Sequence, residues 1–202
     1  MTQIRDSYKT LKRGGEPVLF KDRGSKFIGQ AHPVLNEKQI EEILAKLWSE
    51  HAKASHICYA WLLGANYEDY RANDDGEPKN SAGLPIYGQL QAFELTNTLI
   101  TVVRYYGGTN LGVGGLIQAY KASAQLAIEA SQIVTKTIKQ KLFLDFDYPL
   151  MHTVMRIIKE EQLKVETQEM ALDCKFTLLI RKKDFKRIKK RFEAVYGLNI
   201  KT

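Results

Sequence analysis

Apolar and polar positions along this chain change period repeatedly, and the changes mark its elements. Residues 26–32 read as a strand. Asn36 followed by Gln39 has the form of a capping box and predicts a helix running to about Glu50, with Ile40, Ile43, Leu44 and Leu47 at helical spacing. Residues 56–63 are rich in strand formers. Residues 66–85 mix glycine, proline and acids and read as loop, with a short helix over 86–95. Residues 98–104 (TLITVVR) are β-branched and apolar on both sides, the pattern of a buried central strand. A glycine-rich loop follows, then an alanine-rich helix over 116–130, where Leu126 and Ile128 among small residues suit close packing on a sheet.

Residues 131–139 read as a link, after which the pattern restarts. Leu142, Leu144 and Phe146 alternate with polar positions as a half-buried strand. Pro149 suits a helix start, with Met151, Val154, Met155 and Ile158 on one face. Residues 163–168 form a second strand. Leu172, Cys174, Phe176, Leu178 and Ile180 mark a third. A helix over 183–195 and a short strand over 198–201 complete a β-α-β-β-α-β order, the ferredoxin-like arrangement. The division falls near 135–140, giving domains 1–137 and 138–202 and an α+β fold class of two α/β sandwiches.

Composition places the chain among globular proteins: 202 residues, 44% hydrophobic and 26% charged, with no run of 18 apolar residues to span a membrane. MTQIRDSYKT lacks the apolar stretch of a signal peptide, and Cys58 and Cys174 stand far apart with no CxxC, so a reducing cytoplasm without disulfides is expected. The net charge of +7 is unevenly spread: residues 138–202 hold 15 basic and 9 acidic side chains, net +6. A basic surface favours polyanions such as RNA, or an acidic protein; a solvated charged surface is the plainer reading.

Five of the 14 glycines fall between 107 and 115, at Gly107, Gly108, Gly112, Gly114 and Gly115. A buried strand, a glycine-rich turn and a helix amino terminus make an anion site, with Arg104 and Lys121 at hand. No Lys-Ser/Thr follows, so this is not a Walker A loop, and Ile117 stands where the dinucleotide fingerprint needs its third glycine. A tight turn in close contact with the sheet explains the same glycines. Asp74-Asp75-Gly76-Glu77-Pro78, running on to Lys79 and Ser81, reads first as a turn; its carboxylates could otherwise hold Mg²⁺ through water. His56 and Cys58 share a strand face, without the four paired ligands of a zinc site. His56 has the reach to enter the same cleft as the acidic turn.

Seven of residues 182–191 are basic. Phe185, Ile188, Phe192 and Val195 make the buried face of this helix. Lys183, Lys186, Arg187, Lys190 and Arg191 fan over the other with no balancing acid in view, the form of a phosphate-backbone contact or of a solvated face.

Ser25-Lys-Phe-Ile-Gly29, Ala54-Ser-His-Ile-Cys-Tyr-Ala-Trp61, Asp74-Asp-Gly-Glu-Pro78, Ala82-Gly-Leu-Pro-Ile86, Val102-Val-Arg-Tyr-Tyr-Gly-Gly108 and Leu111-Gly-Val-Gly-Gly-Leu116, in this order, resemble the IMPACT/YigZ family. The resemblance implies a first domain related to a small-subunit ribosomal-protein domain and the GHMP kinases, with a left-handed β-α-β unit, and a second like a domain of elongation factor G. It also implies a link to translation, since eukaryotic members are tied to control of initiation, and nucleic-acid binding as the usual proposal for bacterial ones. Lys79-Asn80-Ser81 replaces the family's Ser-Gly-Thr. Asn110 and Gln118 replace a Lys and an Arg, which removes two positive charges from the anion site.

These readings combine into an expectation of a cytoplasmic, non-enzymatic protein that binds RNA or a ribosomal component and modulates translation. No cofactor, resident metal or membrane partner is expected, and the pattern specifies no oligomeric state. Two alternatives stay open: a Mg²⁺-dependent enzyme on a nucleotide or phosphorylated substrate, and a pure protein-interaction module.

Overall fold

The structure is a computed structural model and describes residues 5–202; Met1–Ile4, the start of the amino-terminal stretch read above, lie outside the described residues. The chain forms two compact units, one of residues 8–136 and one of residues 137–202 together with the segment ending at Ser7.

The 8–136 unit is built on strands β1 (Ser7–Arg13), β2 (Val18–Asp22), β3 (Ser25–Pro33), β4 (His56–Leu63), β5 (Asp69–Asn73), β6 (Thr98–Tyr105) and β7 (Gln132–Thr137). Helices α1 (Glu37–Glu50), α2 (Gly83–Ala92) and α3 (Gly112–Glu129) complete it. Five strands form an antiparallel sheet in the order β2-β3-β6-β4-β5. Strand β6 is central and buried along nearly its whole length, as its two-sided apolar pattern requires. Ile100 and Val102 pack with Cys58, Ala60 and the buried faces of α2 and α3. Leu99 and Val103 face the other way, toward Ile40 and Leu47 of α1. Helix α1 starts where the capping box places it: Asn36 Oδ1 accepts from Gln39 N–H at 3.0 Å, and Gln39 Oε1 accepts in return from Leu35 N–H at 2.7 Å.

Several expectations change here. Strand β5 lies inside the stretch read as loop. Residues 132–137, read as a link, are β7, paired with β1. Helix α2 begins at Gly83 and α3 at Gly112, so the last three glycines of the loop form the first turn of a helix. Ile128 is buried, but Leu126 is 38% exposed.

The second unit holds β8 (Lys139–Asp147), α4 (Met151–Glu160), β9 (Lys164–Glu169), β10 (Asp173–Arg181), α5 (Lys182–Glu193) and β11 (Asn199–Lys201), with a 3₁₀ turn at Tyr148–Leu150 before α4. Its antiparallel sheet runs β11-β8-β10-β9. Leu142, Leu144, Phe146, Cys174, Phe176, Leu178 and Ile180 point to one face and meet Val154, Ile157 and Ile158 of α4 and Ile188 and Phe192 of α5. Met155 and Leu172, read as inward, are exposed. Asp6 joins this unit. Its carbonyl accepts from Ile138 N–H at 2.9 Å, and its carboxylate pairs with Arg181 and accepts from Lys183 N–H at 3.0 Å. It thereby caps α5, whose own N-cap Arg181 makes no side-chain cap bond. Among the described residues, no helix is long and apolar enough to cross a membrane.

Candidate functional site

The antiparallel register sets Arg104 of β6 opposite Phe27 of β3 and His56 of β4. The three side chains form a row on the α2/α3 face of the sheet. Arg104 is only 5% exposed and lies 5.4 Å over the Phe27 ring. Its charge is met by Glu77, whose Oε1 accepts from Arg104 Nη1 at 2.5 Å and from the Tyr120 hydroxyl at 2.8 Å. Arg104 Nε, also buried, has no hydrogen-bond partner. Burial pushes the Tyr120 phenol far above its ordinary pKa, and does the same to the Cys58 thiol. Both therefore stay protonated: Cys58 Sγ donates its one proton to Asp74 carbonyl at 3.0 Å and lies 3.3 Å from the Tyr120 hydroxyl. Cys58 is a buried structural donor.

The acidic turn holds this arrangement in place. Asp74 Oδ1 accepts from Ala82 and Gly83 N–H at 2.9 and 2.8 Å, and Oδ2 from Asn80 N–H at 2.8 Å. Asp74 thus caps α2, whose N-cap Ala82 has no side chain to do so. Asp75 Oδ2 accepts from Ile57 N–H at 2.6 Å, and its carbonyl lies 2.7 Å from His56 Nδ1. A carbonyl can only accept, so His56 Nδ1 carries a proton and Nε2 is left facing Glu77 Oε1 at 3.9 Å. Each acid of the turn is committed to protein donors, and no group of three or more His, Cys, Asp or Glu among the described residues is placed to hold a metal ion. Asp74→Ala is expected to lower the stability of this unit by about 2 kcal/mol through the lost cap. Urea unfolding followed by tryptophan fluorescence checks it, since Trp48 and Trp61 are the chain's two tryptophans and both belong here. A loss under about 0.5 kcal/mol would mean that water replaces the carboxylate.

The acidic turn and the glycine segment enclose an open cleft of about 450 Å³, lined by His56, Glu77, Pro78, Arg104, Tyr106, Asn110, Leu111, Gly112, Val113 and Leu116. Helix α3 points its amino end into it. The N-cap Leu111 makes no side-chain cap bond, so the helix's first N–H groups keep their capacity to donate. The glycines divide by role. A Cβ on Gly107 would collide with the Gly24–Ser25 backbone at about 2 Å, so Gly107 is required by chain contact. Gly108 and Gly112 have φ of +84° and +71°. A Cβ on Gly108, Gly112 or Gly114 would meet nothing within 4 Å, whereas one on Gly115 would press on Leu111 at 2.9 Å.

Of the residues singled out by sequence, His56, Glu77, Arg104 and Gly112 meet in the cleft. Lys79, Ser81 and Lys121 do not line it; Ser81 is fully buried and its hydroxyl has no partner. Sequence reasoning missed Tyr106. It is 50% exposed at the cleft wall, its hydroxyl donates to Asn110 Oδ1 at 3.2 Å, and its ring centre lies 5.6 Å from the Arg104 guanidinium. The signal was present, an aromatic directly between a buried arginine and the glycines.

In the other unit, the basic helix is not without balancing acid. Arg187 grips Glu161 with both terminal nitrogens at 2.7 and 2.8 Å, and Arg191 reaches Glu161 and Glu160 at 2.5 Å each. These bonds, from Arg187 first, hold the Glu161 carboxyl down at about 2. Lys183 sits beside Asp6. No acid among the described residues lies within ion-pairing distance of Lys186 or Lys190, and both are exposed.

Fold and site together define a two-unit mixed α/β protein with an open cleft at the amino end of α3. The Impact N-terminal domain matches residues 23–128. The chain is 30% identical over 178 residues to the IMPACT family member YvyE of Bacillus subtilis, covering 88% of this chain and 82% of that one. It is 33% identical over 112 residues to protein IMPACT-B of Xenopus tropicalis, covering 53% of this chain and 34% of that one. A crystal structure titled as that of a hypothetical protein superposes with a TM-score of 0.71 over 96% of both chains at 24% identity, a likeness of fold alone. The chain belongs to the IMPACT family.

Proposed function

We propose that this protein is a cytoplasmic, non-enzymatic regulator of translation that binds RNA, free or within a ribosomal particle, and that its cleft receives phosphate. One observation carries the reading: the uncapped amino end of α3 opens beside a buried arginine whose Nε has no partner. A helix amino terminus offers oriented N–H donors and a favourable dipole to an oxyanion. The net charge of +7 adds a long-range attraction for polyanions. The resemblance to a family whose eukaryotic members are tied to control of initiation supplies the setting. The finer fold assignments belong to the same proposal. The 137–202 unit is ferredoxin-like, supported by its β11-β8-β10-β9 order, and the 8–136 unit takes the ribosomal-protein/GHMP-kinase-like fold.

The test is binding of a single-stranded RNA oligonucleotide as a function of salt. Each phosphate contact to a single strand contributes about 0.7 to the log–log slope. The sequence alone suggested four contacts from Lys186, Arg187, Lys190 and Arg191. With both arginines committed to Glu160 and Glu161, K186Q/K190Q is expected to flatten the slope by about 1.4, and further replacement of Arg187 and Arg191 to add little. Failure of the wild type to bind RNA at low salt would overturn the reading. An unchanged slope in K186Q/K190Q would remove α5 from it.

A further inference from the structure

The cleft offers more than an anion site. Three kinds of surface converge in it. At one side stands the amino end of α3, an 18-residue helix whose N-cap makes no side-chain bond, with Gly112 bare of any side chain at the cleft wall. Below it is Arg104, with a side chain 7% exposed, one guanidinium nitrogen tied to Glu77 and Nε unpartnered. The third surface is aromatic and apolar: Tyr106, half exposed and anchored through its hydroxyl to Asn110, with Leu111 and Val113 alongside.

We infer that the cleft is a single-nucleotide pocket for single-stranded RNA, with one phosphodiester at the amino end of α3 beside Arg104 and the attached base stacked on Tyr106. The inference rests on the reading that the cleft receives RNA phosphate, and it names the form of RNA received. Charge selects the diester. Arg104 and Glu77 nearly cancel, so the site offers the N–H donors and dipole of α3 with little further net charge, enough for a single negative charge and poorly suited to a dianionic terminal phosphate. Aromatic faces accept any base, since every base has a π-face, and a tyrosine lying against a guanidinium is held as a platform for stacking. A volume of about 450 Å³ is at the lower end of the range of small-ligand sites, room for one nucleotide unit. A base inside a duplex is stacked and paired, and cannot reach Tyr106 without leaving the helix.

The test compares a labelled single-stranded hexanucleotide with a duplex of the same sequence, at fixed low salt, on the full chain. Wild type is expected to bind the single strand at least about tenfold more tightly. Tyr106→Ala is expected to weaken single-strand binding by about five- to a hundredfold and leave duplex binding unchanged, while Tyr106→Phe keeps most of the affinity. Val113→Glu sets a carboxylate at the first turn of α3 and is expected to weaken single-strand binding at least about tenfold, with Val113→Gln near wild type. Position 113 is 52% exposed and Tyr106 is 50% exposed, so these variants should fold. Equal affinity for both forms, or wild-type affinity in Tyr106→Ala and Val113→Glu alike, with salt-dependent binding intact, overturns the pocket and leaves the RNA reading standing. Absence of binding to either form overturns both.

Discussion

Arg104→Met is expected to lower the stability of the 8–136 unit by about 3–5 kcal/mol, one of the largest single-residue effects in the chain. Glu77 is 8% exposed, and its charge is balanced by Arg104 at 2.5 Å. Removing the arginine leaves a carboxylate in a low-dielectric site with a phenol and, at 3.9 Å, an imidazole nitrogen. Methionine fills similar volume and packs on Phe27, so the cost is electrostatic and not a cavity. Adding Glu77→Gln is expected to restore more than half of the loss, because glutamine still accepts from Tyr120 and carries no charge. Urea unfolding monitored by tryptophan fluorescence reads both variants. A single-variant loss under about 1 kcal/mol, or a double variant no better than the single, would show that the pair is not the source of the effect.

That pair shows where sequence reasoning stops. Arg104 and Glu77 were both singled out, yet nothing in their spacing joins them. Their meeting depends on β5, an exposed edge strand whose residues, Asp69–Asn73, have no alternating apolar face to betray it. Pairing with β4 makes the strand, and the turn after it delivers Glu77 over β6. The same cause hid β1 and β7. Gln132–Thr137 buries no side chain fully, and β1 fully buries only Thr10 and Leu11, so mutual pairing rather than pattern defines them.

Elements that carry their own signal were legible. The Asn36–Gln39 box fixed the start of α1, and β4 begins and ends as its strand formers do. The clean alternation of β10 set the second core. Helix α3 was placed late because glycine lowers helix propensity by about 1 kcal/mol per residue. Tertiary context overrides that cost, keeping the first turn free of side chains where the cleft opens. On α5, amphipathicity was legible but charge balance was not. Glu160 and Glu161 end a different helix, and only the packing of α4 beside α5 brings them to Arg187 and Arg191.

Acid is expected to destabilise the 8–136 unit through His32 before the carboxylates come into play. His32 sits on β3 facing α1, with Nε2 3.2 Å from Thr101 Oγ1. Burial, with a smaller contribution from Lys46, lowers its pKa from 6.5 to about 4. The native state therefore keeps His32 neutral through a range in which the unfolded chain protonates it. Between pH 6.5 and 4 the unfolded state binds more protons, so stability falls as pH is lowered through that window. At about 1.4 kcal/mol per pKa unit, the loss saturates near 3 kcal/mol at and below pH 4. Glu161, held at about 2, belongs to the other unit and acts only below pH 4.5, so the two limbs separate on the pH axis. His32→Gln keeps a polar group within reach of Thr101 and removes the titration. The variant's unfolding free energy, read by tryptophan fluorescence, is expected to stay nearly flat from pH 7 to 4.5 while that of the wild type declines. Parallel curves for the two proteins would place the acid sensitivity of this unit elsewhere than in His32.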